Sequence, residues 1–133
     1  MLDDGALLLG GPEASLARRV QRWLEGEALR LIAADADDYA TAAGVPSPRL
    51  QLSRARRLWG SCAGDATVRI NWRLVMAPDT VRRSVVAHEI AHLVHFDHSP
   101  AFHRLLGEIF EGDISAANRW LKREGRTLYA PFG

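Results

Sequence analysis

The fold of this chain is decided by residues 85–92, which read VVAHEIAH. Residues four apart on an α-helix lie one turn apart on the same face, so His88 and His92 can share one metal ion at about 2.0–2.1 Å. Glu89 stands beside them, placed to accept a proton from a metal-bound water instead of binding the metal. The spacing therefore predicts a zinc site, with Glu89 as the general base.

A short HExxH pattern also arises by chance, so its surroundings have to be considered. Residues 85–87, 90–91 and 93–94 are apolar, which predicts a helix that is buried nearly all round. Two histidines and a glutamate inside such a helix are costly to bury without partners. A metal ion supplies that partner, and the apolar flanks therefore favour the zinc interpretation.

Zinc hydrolases use three protein ligands and keep a fourth position open for water. His98 is the predicted third ligand, because Ser99-Pro100 must end the helix just after it and lets the chain turn back toward the metal. His95 lies a further turn along the helix, and His103 falls inside the next one. The acidic alternatives further along the chain are Glu108, which is the best of them, Glu111 and Asp113.

The pattern of apolar residues, prolines and glycines predicts an α+β fold of helix, small sheet, then helices. The sheet is expected to be antiparallel or mixed and to pack on a central HExxH helix, with flanking N- and C-terminal helices. Gly26 leaves open whether the first helix is single and kinked or divided in two. The predicted helices span about 12–43, 78–96, 100–110 and 113–125; the predicted strands span 49–56 and 67–71, with a loop at 59–65.

Size and composition predict a single domain over residues 1–133. The chain has 17 Lys and Arg against 16 Asp and Glu, which provides no strong field for nucleic acid or membrane. One cysteine, Cys62, excludes an internal disulfide and fits a reducing compartment. The first residues carry Asp3 and Asp4 and only a short apolar run, so we expect no signal peptide and a cytoplasmic protein.

Several ordered motifs together resemble the YgjP-like metallopeptidase domains, which are related to the SprT-like zinc proteases. The resemblance runs from about Leu50 to Leu121 through these segments: RLWGSC (57–62), INWRL (70–74), AP (77–78), VVAHEIAHL (85–93) and HSPAF (98–102). It implies a minimal gluzincin-like core. It also implies zinc bound by His88, His92 and His98, with Glu89 as catalytic base.

The predicted function is hydrolysis of peptide bonds in a peptide or protein substrate. The strand at 68–71 could pair with an extended peptide, or could only pack on the helix. The transition-state oxyanion needs a further donor, for which His95, His103 and Tyr129 are the candidates. The same chemistry also permits hydrolysis of non-peptide amides.

A different class of function is a nucleic-acid-associated zinc module, suggested by Arg49, Arg54, Arg56 and Arg57. Retention of Glu89 favours the enzyme, because a purely structural zinc site needs no base. Other residues are interpreted structurally. Residues 59–61 are expected to support the site, Cys62 to be a buried thiol, and Asp97 either to orient a ligand imidazole or to lie in solvent.

Overall fold

The computed structural model describes residues 11–132 and confirms the α+β class. The N-terminal stretch 1–10, where the sequence predicts no signal peptide, lies outside the described residues. The elements in chain order are α1 Gly11–Ala43, β1 Arg49–Ser53, β2 Gly60–Cys62, β3 Thr67–Asn71, α2 Asp79–His92, α3 Pro100–Ile109 and α4 Ile114–Glu124. Two short 3₁₀ helices cover Trp72–Met76 and Gly125–Leu128.

Helix α1 is one continuous element of 33 residues, about 50 Å long at 1.5 Å per residue. It runs through Gly26, so the division that this glycine left open does not occur. Its C-terminal half supplies the core with small and large apolar side chains, namely Ala28, Ile32, Ala36, Tyr39 and Ala40. None of the described helices is long and apolar enough to cross a lipid bilayer.

The sheet is mixed and has the strand order β1-β3-β2. β3 lies in the middle, parallel to β1 and antiparallel to β2. β1 ends earlier than predicted, at Ser53, because the Ser53 hydroxyl accepts a hydrogen bond from the Ala55 N–H and turns the chain. The prediction of a loop throughout 59–65 is wrong, since residues 60–62 pair with β3.

Helix α2 packs against α1, α3, α4 and the strands β2 and β3. Its Val86, Ala87, Ile90 and Ala91 are fully buried. The helix ends at His92, earlier than the predicted end near residue 96. The apolar residues beyond that end, Val94 and Phe96, extended the helical pattern in the sequence but are exposed in the structure.

A buried ion-pair network joins α2 to α1. Asp35, which is 3% exposed, accepts hydrogen bonds from Arg82 Nε at 2.7 Å and from Arg83 Nη1 at 2.9 Å. Arg82 is 5% exposed and also reaches Asp79 at the surface. Because each buried charge has an opposite charge in contact, the network fixes α2 against α1 without leaving an unpaired ion.

Candidate metal centre

Helix α2 presents the two HExxH histidines on one face. The His88 and His92 rings lie 4.8 Å apart between centroids, and both are half-buried. Buried apolar residues on the other faces of α2 hold it in the core, so this face opens toward the solvent side of the domain. The one-turn spacing predicted from the sequence is present.

His98 joins the pair because the chain reverses between α2 and α3. Its Nε2 lies 3.1 Å from His92 Nε2. The Ser99 hydroxyl accepts a hydrogen bond from Phe102 N and, with Pro100 at the first turn, begins α3 immediately after the ligand candidate. The early end of α2 at His92 is therefore what gives residues 93–99 room to bring His98 back.

The three imidazoles fit a single metal ion. One ligand atom from each of His88, His92 and His98 lies within 4.8 Å of the others. Ligands at 2.0–2.1 Å around a tetrahedral zinc stand about 3.3 Å apart, close to the 3.1 Å between His92 and His98. Within the described part of the chain, this is the one set of three candidate ligands that converges.

A hydrogen bond and a stacked ring orient His92. The carbonyl oxygen of His95 lies 3.0 Å from His92 Nδ1, so a proton on Nδ1 donates to it and leaves the Nε2 lone pair facing His98. His95 thus contributes its backbone, while the sequence had offered Asp97 as a group that orients an imidazole. Below the rings, the buried Phe102 stacks on His92 with centroids 4.4 Å apart.

Glu89 is 5% exposed, and its carboxylate stands beside the first histidine. Glu89 Oε2 lies 3.1 Å from His88 Nδ1. On its other side is β2, and a Cβ atom built on Gly60 would lie 3.0 Å from Glu89 Cγ and 3.1 Å from Glu89 Oε2. The absence of a side chain at Gly60 therefore lets the strand approach the carboxylate this closely.

Two of the acidic alternatives have structural roles elsewhere. Glu111 accepts hydrogen bonds from Tyr39 at 2.8 Å and from Arg83 at 2.9 Å. Asp113 caps α4 by accepting a hydrogen bond from the Ala116 N–H. Glu108 lies exposed on α3 and outside the converging set.

The sequence model of the YgjP-like metallopeptidase domain matches residues 4–124. The chain belongs to this family. The match confirms the resemblance found from the motifs. Comparisons with curated proteins and with solved structures returned no match.

In this YgjP-like domain the strand suggested for peptide pairing is the wrong one. β3 carries residues 68–71 and is hydrogen-bonded on both sides, to β1 and to β2, so it has no free edge. The outer strands of the sheet are β1 and β2, and no other described strand pairs with the outer edge of either. Because β2 also contacts α2 beside Glu89, it is the strand edge that borders the candidate site.

The position of β2 depends on a buried asparagine. Asn71 Nδ2 donates to the carbonyl of Ala55 at 2.8 Å and to that of Leu58 at 3.2 Å. The Asn71 N–H donates to the Trp59 carbonyl at 2.8 Å. These bonds anchor the segment that leads into β2, which gives the asparagine of the INWRL motif a structural reason.

Tyr129 is hydrogen-bonded to the same segment, which matters because it was a candidate donor to the oxyanion. Its hydroxyl donates to the Ala55 carbonyl at 3.2 Å and accepts from Asn71 Nδ2 at 3.2 Å. His103, in contrast, is exposed, and its ring lies 6.2 Å from that of His98. Of the candidate side chains, His103 thus stands near the histidine cluster, whereas Tyr129 is bound to the loop.

Cys62 lies at the end of β2 and is half-buried. Burial raises the pKa of its thiol, and the nearby carboxylates of Glu89 and Asp65 raise it further. A thiol must lose its proton to bind zinc, so this environment disfavours Cys62 as a ligand.

The arginine cluster is partly neutralised within the domain. Arg54 forms a bidentate pair with Glu25 of α1, at 2.9 and 3.0 Å. That pair uses the guanidinium edge that a phosphate would need. The geometry thus provides no support for a phosphate-binding surface centred on Arg54.

Proposed function

We propose that this YgjP-like domain is a zinc metallopeptidase in which His88, His92 and His98 bind the zinc and Glu89 is the catalytic base. The observation that carries the proposal is the convergence of three imidazoles on one point with a buried carboxylate beside them. Family membership supports the hydrolytic class. Zinc is favoured because three neutral nitrogen ligands with an open fourth position suit that ion.

The chemistry divides between the ion and the protein. A bound zinc supplies Lewis acidity, which polarises a carbonyl and lowers the pKa of a water toward about 7. Glu89 accepts the proton of the attacking water and then returns it to the leaving amine. Its near-complete burial keeps competing water away from the carboxylate, so that its proton transfer is directed to the reactants.

The remaining parts of the site position the substrate. The free edge of β2 can hydrogen-bond an extended peptide backbone, which would hold the scissile carbonyl above the histidines. His103 is the proposed donor to the developing oxyanion, because it is the exposed imidazole next to His98. His95 acts through its carbonyl, which holds the His92 ring in the orientation that metal binding requires.

The proposal is tested by comparing the wild-type protein with Glu89→Gln in a cleavage assay on a broad peptide library. The amide is nearly isosteric but cannot accept the proton, so we expect one zinc per chain in both proteins and loss of nearly all turnover in the variant. Glu108→Gln is the matched control, since this glutamate is exposed on α3 outside the cluster. Near-normal turnover by Glu89→Gln would remove Glu89 from the base role.

A further inference from the structure

A cavity of about 250 Å³ adjoins the proposed catalytic carboxylate. It lies between β2, α2 and the start of α4. Leu58, Trp59, Val85 and Ile114 form its apolar wall, and Glu89 lines the same cavity. A group seated here therefore lies next to the carboxylate that would accept the proton of the attacking water.

The cavity wall contains apolar surface that the domain itself leaves uncovered. Leu58 is 57% exposed, although its neighbour Trp59 packs on Tyr129. A single exposed leucine is ordinary in a folded protein. Here, however, Leu58 forms one side of a mostly apolar cleft that also contains Glu89. An apolar side chain bound in the cleft would be removed from water and would also cover Leu58.

The size of the cavity restricts the guest to one bulky side chain. Cavities of about 150 Å³ hold a benzene ring, whereas sites for drug-sized ligands begin at about 300 Å³. A volume of about 250 Å³ lies between these values. A second cavity, on the His92 side of the site and bordered by Cys62 and Phe96, is smaller, at about 120 Å³. The larger cavity should therefore dominate the choice of substrate.

We propose that this cavity is the specificity pocket for a leucine- or phenylalanine-sized residue beside the cleaved bond, and that the substrates are unfolded segments or peptides. This inference rests on the proposed peptidase function. Large apolar side chains are mostly buried in folded proteins. To bind as proposed, a residue must place its side chain in this cavity and its backbone along β2. Only an extended chain leaves both the side chain and the backbone free to do so.

The first test measures cleavage of extended peptides that are identical except for one position, occupied by Leu, Phe, Gly or Asp. Cleavage sites are mapped by mass spectrometry. We expect cleavage next to Leu or Phe, with kcat/KM about 10- to 100-fold above the Gly peptide, the range expected for burying one such side chain. A preference for Asp would assign the cavity to Arg57, which lies at it, and would overturn the proposal.

A substitution that fills the cavity should abolish the preference for Leu or Phe over Gly. Asn118 is an exposed residue of α4 that lines the cavity, so Asn118→Trp places a large ring there without touching the core. We expect the Leu-to-Gly ratio of kcat/KM to fall at least tenfold. Arg123→Trp, on another face of the same helix and outside the cavity, should keep the wild-type ratio. Equal ratios in the two variants would contradict the assignment.

A binding measurement separates this inference from the peptidase proposal. Fluorescently labelled Leu and Gly peptides are titrated into the zinc-loaded Glu89→Gln protein, and the Kd ratio is measured by anisotropy. A ratio of about tenfold or more that Asn118→Trp abolishes supports the pocket, even if the wild-type protein cleaves nothing. Cleavage by the wild-type protein without any such discrimination would overturn the pocket and leave the peptidase function standing.

Discussion

Adding one methyl group at Gly60 should lower both the activity and the stability of the domain. The new Cβ would lie 3.0 Å from Glu89 Cγ and 3.0 Å from Val85 Cγ1. Carbon atoms in ordinary contact are about 3.5–4.0 Å apart, so these groups must separate by roughly 0.5–1 Å. The Val85 side chain is β-branched and stiff at χ1, whereas the longer Glu89 side chain has three rotatable bonds, so Glu89 is the group that can yield.

A displacement of this size at a catalytic group should lower the reaction rate strongly. A misplacement of about 1 Å can lower a rate by about 100-fold, so we expect kcat of Gly60→Ala to fall about 10- to 100-fold. Overpacking should cost about 1–3 kcal/mol of unfolding free energy. Zinc content should not change, because no histidine nitrogen is among the three atoms nearest to the added carbon.

The assay is steady-state peptide cleavage, with zinc content and denaturant unfolding measured on the same samples. Gly64→Ala is the matched control, since a Cβ there meets no atom within 4 Å. A Gly60→Ala protein that is fully loaded with zinc and retains the wild-type kcat would refute the reasoning that β2 positions Glu89.

Two further substitutions test the scaffold. Asp35→Ala leaves the buried Arg82 without its main partner and should cost about 3–5 kcal/mol of unfolding free energy, measured by urea unfolding. Asp79→Ala removes the exposed partner of the same arginine and should cost under about 1 kcal/mol. Equal losses in the two variants would contradict the expected effect of burial. Asn71→Ala leaves the half-buried Ala55 carbonyl with one hydrogen-bond partner fewer and should cost about 1–3 kcal/mol of unfolding free energy. It should also loosen β2, measured as faster hydrogen exchange of the Ala63 amide, which donates to the Thr67 carbonyl of β3; unchanged exchange would show that β2 does not depend on Asn71.

The sequence predicted the parts of this site that depend on local geometry. The spacing of His88 and His92 requires only that the segment be helical, and Ser99-Pro100 marks a helix end from two residues alone. His98 could be predicted as the third ligand for that reason. Its convergence with the other two histidines follows from the turn that these signals predict.

Features that depend on long-range pairing could not be predicted from the sequence. β2 is three residues long and contains glycine and serine, so its strand character comes from pairing with β3 and not from its own preference. For the same reason the sequence could not decide whether residues 68–71 pair with a peptide or only pack on the helix; β3 lies between β1 and β2, which excludes the pairing. Asp35 and Arg82 are 47 positions apart, and nothing in their local sequence shows that they meet.

Zinc binding by His88, His92 and His98 is tested most directly by measuring zinc affinity. Competition against a chromophoric chelator should be measured for the wild-type protein, His98→Ala, His95→Ala and His103→Ala. We predict near one zinc per wild-type chain, a large loss of affinity for His98→Ala, and wild-type affinity for the other two, because His95 uses its carbonyl and His103 lies beyond the cluster. A folded wild-type protein that binds no zinc, or a His98→Ala protein that binds it as tightly as wild type, would contradict the account.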